Sequence, residues 1–148
     1  MQAFRIKGGK KLKGEVRPQG AKNEALQIIC ATLLTSEKVI INNIPDIIDI
    51  NKLISLLISL GVKVEKLNSN KYSFKADNID LDYLKSEQFK IDGKSLRGSI
   101  MIVGPLLARF GKAYIPRPGG DKIGRRRLDT HFEGLIKLCL LYTSPSPR

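Results

Sequence analysis

The sequence has no tryptophan, one histidine and two cysteines, and only 6% of its 148 residues are aromatic. Each scarcity excludes something. With so few rings, a stacking platform for single-stranded nucleic acid is hard to build. Cys30 and Cys139 supply neither a disulfide framework nor a metal-ligand spacing. Cys30 lies in an apolar run and reads as a small buried hydrophobe. There is no zinc-finger spacing and no RNA-binding signature. No uncharged run is long enough to span a bilayer, and residues 1–17 carry too many cations for a signal peptide. The cytoplasm is the expected location, with no membrane partner.

What is present is positive charge. Lysine and arginine number 26 against 14 aspartate and glutamate, a net charge of +12 with pI near 9.9. Such an excess attracts nucleic acid, and a basic nucleic-acid-binding module, with affinity falling steeply in salt, is the competing expectation throughout. The cations are spread along the chain apart from the run at 125–127, however, and a small anionic substrate needs only a few of them. Apolar residues make up 42%, enough for the core of one domain.

Taken in order, 3–7 and 12–17 read as short strands around Gly8-Gly9. A helical run at 24–35 has apolar residues around most of its circumference and is expected to be largely buried. A strand at 38–42, a loop around Pro45 and a helix at 49–60 ended by Gly61 follow. Strands at 62–66 and 72–75 form a hairpin around Asn68-Ser69-Asn70. The stretch 79–94 reads as a connection with a short strand near 89–91. A helix at 95–110, kinked at Gly104-Pro105, a strand at 112–116 and a helix at 128–138 complete the pattern.

This order repeats. Shifted by 74, Lys38-Val39-Ile40-Ile41 falls on Lys112-Ala113-Tyr114-Ile115 and Asn23 falls on Arg97. For the next helix the shift is 78, carrying Ile54, Leu57, Ile58 and Leu60 onto Phe132, Leu135, Ile136 and Leu138. The four extra residues lie in the loop that opens at Pro118. Loops lengthened on a fixed scaffold tend to carry function.

That loop, 118–131, is hinged by Gly119, Gly120 and Gly124. It holds one carboxylate, Asp121, beside Lys122, Arg125, Arg126 and Arg127, and Asp129 stands where it can cap the next helix. One proton donor among several anion binders suggests an active-site flap for a phosphorylated or carboxylated substrate; the plainer reading is a solvated basic turn. Asn23 and Arg97 each open a helix, where free N–H groups favour anions, and Lys22 adds a full charge. A simple N-cap remains the other reading of Asn23.

Lys22-Asn23 after Gly20-Ala21, Arg97-Gly98-Ser99 with Gly104-Pro105-Leu106, and Pro118-Gly119-Gly120-x-x-Ile123-Gly124-x-Arg126-x-x-Asp129-x-His131 together resemble the enolpyruvyl transferases, in the branch that acts on UDP-N-acetylglucosamine. The resemblance runs from Phe4 to Leu138. It implies an α/β fold of two similar domains, each an inside-out barrel of three strand-helix repeats, of which this chain holds about two. It implies transfer of the enolpyruvyl group of phosphoenolpyruvate to the 3-hydroxyl of the nucleotide sugar, in peptidoglycan synthesis, with neither metal nor organic cofactor. Lys22, Asn23 and Arg126 would hold phosphoenolpyruvate. Arg97 and the run Arg126, Arg127, Leu128, Asp129 and Thr130 would contact the nucleotide sugar, and Asp121 would be the proton donor.

The sequence departs from the usual pattern in three places. Most members carry cysteine where Asp121 stands, and an aspartic acid can protonate an enol carbon only if its folded pKa is raised toward neutrality. Neighbouring cations oppose that; desolvation or the substrates' negative charge would offset them. Arg127 and Thr130 replace the usual proline and leucine. His131 matches the family and equally suits a structural helix position. Three expectations concern extent. Residues 1–21 would pack with a second domain that the chain lacks, residues 22–138 would form a partial catalytic domain, and residues 139–148, with no turn glycine and two prolines, would be a non-native tail. The relative acting on shikimate phosphate is a third possibility, against which the loop motif speaks.

Overall fold

The computed structural model describes residues 3–116, 119 and 127–138. Its organising unit is a pair of helices laid on a small sheet. Helix α1 (Lys22–Ala31) starts after Ala21 and tightens into a 3-10 turn, Thr32–Leu34. Ala25, Leu26, Ile29, Cys30 and Leu33 form one buried stripe, recurring at the three- and four-residue spacing of a helix face. Ile28 and Leu34 are exposed, so the helix is buried along one face rather than all round, narrower than its apolar content implied.

Helix α2 (Ile48–Ser59) buries Ile50, Leu53, Ile54, Leu56 and Leu57. Its end is set by the backbone: Gly61 has φ +98°, Gly61 N–H donates to Ile58 C=O and Val62 N–H to Leu57 C=O, while Val62 and Leu57 pack together in the core. This is the Schellman arrangement, and glycine suits it because a Cβ is strained at that φ.

Strands β1 (Lys38–Ile41), β2 (Lys63–Asn68) and β3 (Lys71–Lys75) form an antiparallel sheet in the order β1-β3-β2. Phe74, opposite both Val39 and Val64, is wholly buried at its centre. Together with Ile29, Leu33, Leu53 and Leu57 it forms the main core, where each such side chain contributes about 1.5–3 kcal/mol by leaving water. The expected hairpin is there, with β2 running on to Asn68 and irregular between Lys66 and Asn68.

Four expectations are corrected. The strands at 3–7 and 12–17 do not form; Phe4, Ile6, Leu12 and Val16 are all close to fully exposed. A strand is held by its ladder to a neighbour, and none of the described residues supplies one there. The strand near 89–91 is instead helix α3 (Glu87–Ser95), capped by Ser86, whose Oγ accepts from Phe89 N–H at 3.0 Å. The helix expected at 95–110 is a 3-10 segment, Arg97–Ile102, followed by α4 (Val103–Phe110). The break falls at Val103 rather than at Gly104-Pro105, and Pro105 sits in the first turn of α4, where its missing N–H has no helical partner to lose.

Residues 112–116 form no strand either. In the first copy β1 pairs with β3, which follows the second helix. No strand among the described residues stands beside 112–116 in that way. Helix α5 (Asp129–Lys137) closes the described chain. No helix among the described residues is long and apolar enough to cross a membrane.

Candidate active site

The first turn of α2 receives the first of the sequence-predicted cations. Lys22, the first residue of α1, is ion-paired with Asp49 in that turn. One helical step along, Lys52 Nζ lies 3.5 Å from the carbonyl oxygen of Ser95, two residues before Arg97. A second link joins the same elements. An ideal Cβ on Gly98 would lie 3.1 Å from Leu26 Cδ1, so the backbone beside Arg97 rests on α1 one turn beyond Lys22. Lys22 and Arg97, 75 positions apart in sequence, are thereby carried on elements that pack against one another.

Asn23 is the second residue of α1, exposed, and not its cap: Ala21 holds that place, with no side-chain hydrogen bond. The N-cap reading of Asn23 is therefore set aside. The start of α1 is left without a side-chain cap, and the exposed Lys22 and Asn23 stand beside its N–H groups, an arrangement suited to an anion. Arg97 is half-buried and opens the 3-10 segment.

The described part of the loop brings in its two ends. Gly119 lies on the carbonyl of Lys94, at the end of α3 and three residues before Arg97. At the far end Asp129 is the first residue of α5, with Leu128 in the cap position, so it does not cap as expected; its Oδ2 accepts from Arg127 Nε at 2.5 Å. Thr130 is exposed in the first turn and Leu128 is half-buried. His131 lines a pocket of about 270 Å³ with Phe132 and Leu135 of α5, facing Ile100, Val103 and Pro105. Asp121 and Arg126 lie outside the described residues, as do Lys122, Gly124, Arg125 and residues 139–148.

Burial pushes the Cys30 thiol up to about 12, so it stays protonated and inert at neutral pH, a core residue as its apolar setting implied. Two residues beside the site, and one that braces the fold away from it, are not marked by the sequence. Asp49 was read only as a helix start, although the shift of 78 sets it on Arg127, a position already singled out. Ser99 is wholly buried, with Oγ 2.8 Å from Gly93 O and 2.7 Å from Leu96 O. Arg109 places Nη1 within 3.1 Å of the carbonyl oxygens of Leu33, Thr35 and Ala76. Nothing in local sequence marks a cation that spans that distance.

Comparison with known proteins gives the family. The family model described as EPSP synthase (3-phosphoshikimate 1-carboxyvinyltransferase) matches residues 6–139. A UDP-N-acetylglucosamine 1-carboxyvinyltransferase from Bacteroides thetaiotaomicron is 62% identical over 138 residues, 93% of this chain and 32% of the relative. One of the same name from Borreliella burgdorferi is 41% identical over 138 residues, 93% of this chain and 31% of the relative. The crystal structure of the enolpyruvyl transferase NikO from Streptomyces tendae superposes with a TM-score of 0.54 at 24% identity, covering 72% of this chain and 24% of that one. The chain thus spans about a third of the length of the curated relatives it matches. A family model matched over most of the residues, and a fold shared with an enolpyruvyl transferase, lead to one conclusion: the chain belongs to the EPSP synthase family of carboxyvinyl transferases.

Proposed function

We propose that the full-length protein transfers the enolpyruvyl group of phosphoenolpyruvate to the 3-hydroxyl of UDP-N-acetylglucosamine, releasing phosphate, in peptidoglycan synthesis. The observation that carries this is that Lys22 and Arg97 are borne on two elements packed together, α1 and the 3-10 segment Arg97–Ile102. Two cations from separate repeats on adjoining elements suit a reaction whose two substrates are both anionic. The names of the relatives at 62% identity support the choice of acceptor.

In this reading Lys22 leaves Asp49 for the phosphate of phosphoenolpyruvate, with Asn23 and Arg126 beside it. Asp121 gives its proton to the methylene carbon, and the positive charge that develops on the adjacent carbon is met by the oxygen of the sugar 3-hydroxyl, which loses its own proton. Phosphate then departs as the methyl carbon returns a proton, restoring the enol. Arg97 and residues Arg127, Leu128, Asp129 and Thr130 orient the nucleotide sugar, and the Arg127–Asp129 pair sets the exit of the loop. The chemistry is proton transfer and charge stabilisation throughout.

The test is phosphate release by the full-length protein supplied with phosphoenolpyruvate and either UDP-N-acetylglucosamine or shikimate 3-phosphate. Release with the nucleotide sugar alone is expected. Asp121→Ala is expected to lower turnover by about 10²–10⁴-fold, the usual worth of a placed acid, while nucleotide-sugar binding persists. Turnover retained in that variant removes Asp121 from its role, and release with shikimate 3-phosphate alone overturns the acceptor.

A further inference from the structure

We propose that the end of α3 with the residue that follows it, 93–96, is a common seat that fixes Arg97 and the mouth of the 118–131 loop in one frame, with Gly93, Ser99 and Gly119 as positioning residues. The role of Arg97 in it rests on the functional reading above. The seat itself rests on four contacts among described residues.

Two contacts run toward Arg97. Ser99, wholly buried, sets its hydroxyl 2.8 Å from the carbonyl oxygen of Gly93 and 2.7 Å from that of Leu96. The last carbonyls of a helix have no partner within it, and the single proton of this hydroxyl is shared between Gly93 C=O in α3 and Leu96 C=O just past its end. The 3-10 turn that begins with Arg97 is thereby tied to α3 on both sides of Arg97. The other two contacts run toward the loop. An ideal Cβ on Gly93 would stand 2.6 Å from Pro116 Cγ, and one on Gly119 would stand 2.0 Å from the carbonyl oxygen of Lys94.

The second of these is decisive because its partner is backbone. A methyl carbon and a carbonyl oxygen rest at about 3.3 Å or more, so a side chain at 119 drives the two segments apart by about 1 Å. The Lys94 carbonyl belongs to a helix turn already held by Ser99, so the chain at 119 must give way. Gly119 is therefore required for close approach, independently of any hinge function. The seat makes the position of the loop mouth a consequence of the same turn that aims Arg97.

The experiment measures kcat and KM in the full-length protein for Gly119→Ala, Ser99→Ala and Pro116→Ala, with Gly134→Ala as control. A Cβ at Gly134 meets no atom within 4 Å. Gly119→Ala is expected to lower kcat about 100-fold, the cost of a misplacement near 1 Å, with KM for the nucleotide sugar unmoved. Ser99→Ala loosens both arms, so it lowers kcat and raises KM together. Pro116→Ala takes away the ring carbons that lie against Gly93 and adds no clash, so it folds even if Gly119→Ala does not, and it lowers kcat several-fold at constant KM. A readout free of catalysis accompanies these: trypsin cleavage after Arg127 is expected to speed up in Gly119→Ala and in Pro116→Ala, and to stay at the parent rate in Gly134→Ala. Unchanged cleavage in both loop-side variants, or KM moving in step with kcat in both, overturns the seat. A parent that makes no product sinks the functional reading instead, and the cleavage rates still decide the seat.

Discussion

Two stretches of the chain, 22–76 and 97–138, carry one sequence pattern and come to different ends. In the first, α2 buries five residues and the β2-β3 hairpin closes over it. In the second, the segment aligned with β1 is not a strand, and α5 buries none of its residues, with Ile136 and Leu138 exposed. The two helices share the apolar positions Ile54/Phe132, Leu57/Leu135 and Ile58/Ile136, but Leu53 and Leu56, both buried in α2, fall on His131 and Gly134, so α5 has a thinner stripe to bury. The neighbour separates them as well: β1 has β3 beside it, and no described strand stands beside 112–116. A pattern states what a segment can bury, and the adjoining elements decide whether it does.

The sharpest way to break this comparison is to cut the same atoms from equivalent positions. Leu57 in α2 is wholly buried, and its counterpart Leu135 in α5 is half-buried at the rim of a pocket. Leu57→Ala is expected to cost about 3 kcal/mol through lost burial and the cavity left behind. Leu135→Ala is expected to cost less than about 1 kcal/mol, since an open site relaxes and keeps little of the penalty. Urea unfolding of this chain gives both numbers, and equal losses end the contrast between the copies.

Arg109 tests where the two copies are joined. It lies in α4 of the second copy and reaches the carbonyls of Leu33, Thr35 and Ala76 in the first. Thr35 is its own equivalent at a shift of 74. Arg109→Met keeps the apolar stem and strands those oxygens, so a loss of about 2 kcal/mol is expected in the same urea experiment. No loss shows that the copies are held by apolar packing alone.

Legibility followed the same division. Helices α1 and α2 and the hairpin were readable because local signals and final packing agree: an apolar stripe, a Gly61 stop, a turn at Asn68-Ser69-Asn70. Helix α3 was missed although Ser86 announces its cap, because 79–94 has weak periodicity and Phe89 was read as a strand residue. The strands at 3–7, 12–17 and 112–116 failed for want of ladder partners, which no window of sequence contains. At the site, Lys22 and Arg97 were legible through the repeat and the resemblance. Asp49 as the partner of Lys22 and Ser99 as the tie behind Arg97 were not, because both are contacts made only by packing. A net charge of +12 told least, since nucleic acid and small anions satisfy it equally.

The smallest expected effect concerns what holds the first copy's sheet beside its hydrophobic face. Asp77, just past β3, has Oδ2 3.0 Å from Lys63 Nζ and 3.2 Å from Lys75 Nζ, and so links β2 to β3. Hydrogen bonds from Lys63 and then Lys75 hold its carboxyl below its ordinary value of 3.8. A depressed folded pKa means that the carboxylate is favoured in the folded chain. Its stabilising contribution is complete above the unfolded pKa and is lost as pH falls through the folded one. Stability of the chain, followed by urea midpoint from pH 5 to pH 2, should therefore decline, and Asp77→Asn should flatten part of that slope while leaving the shape above pH 5 unchanged. The effect is modest because the pair is open to solvent and screened by salt. The second copy has no matching acid-linked hairpin among its described residues, so an acid slope unaltered by Asp77→Asn places the titrating groups elsewhere and removes this difference between the copies.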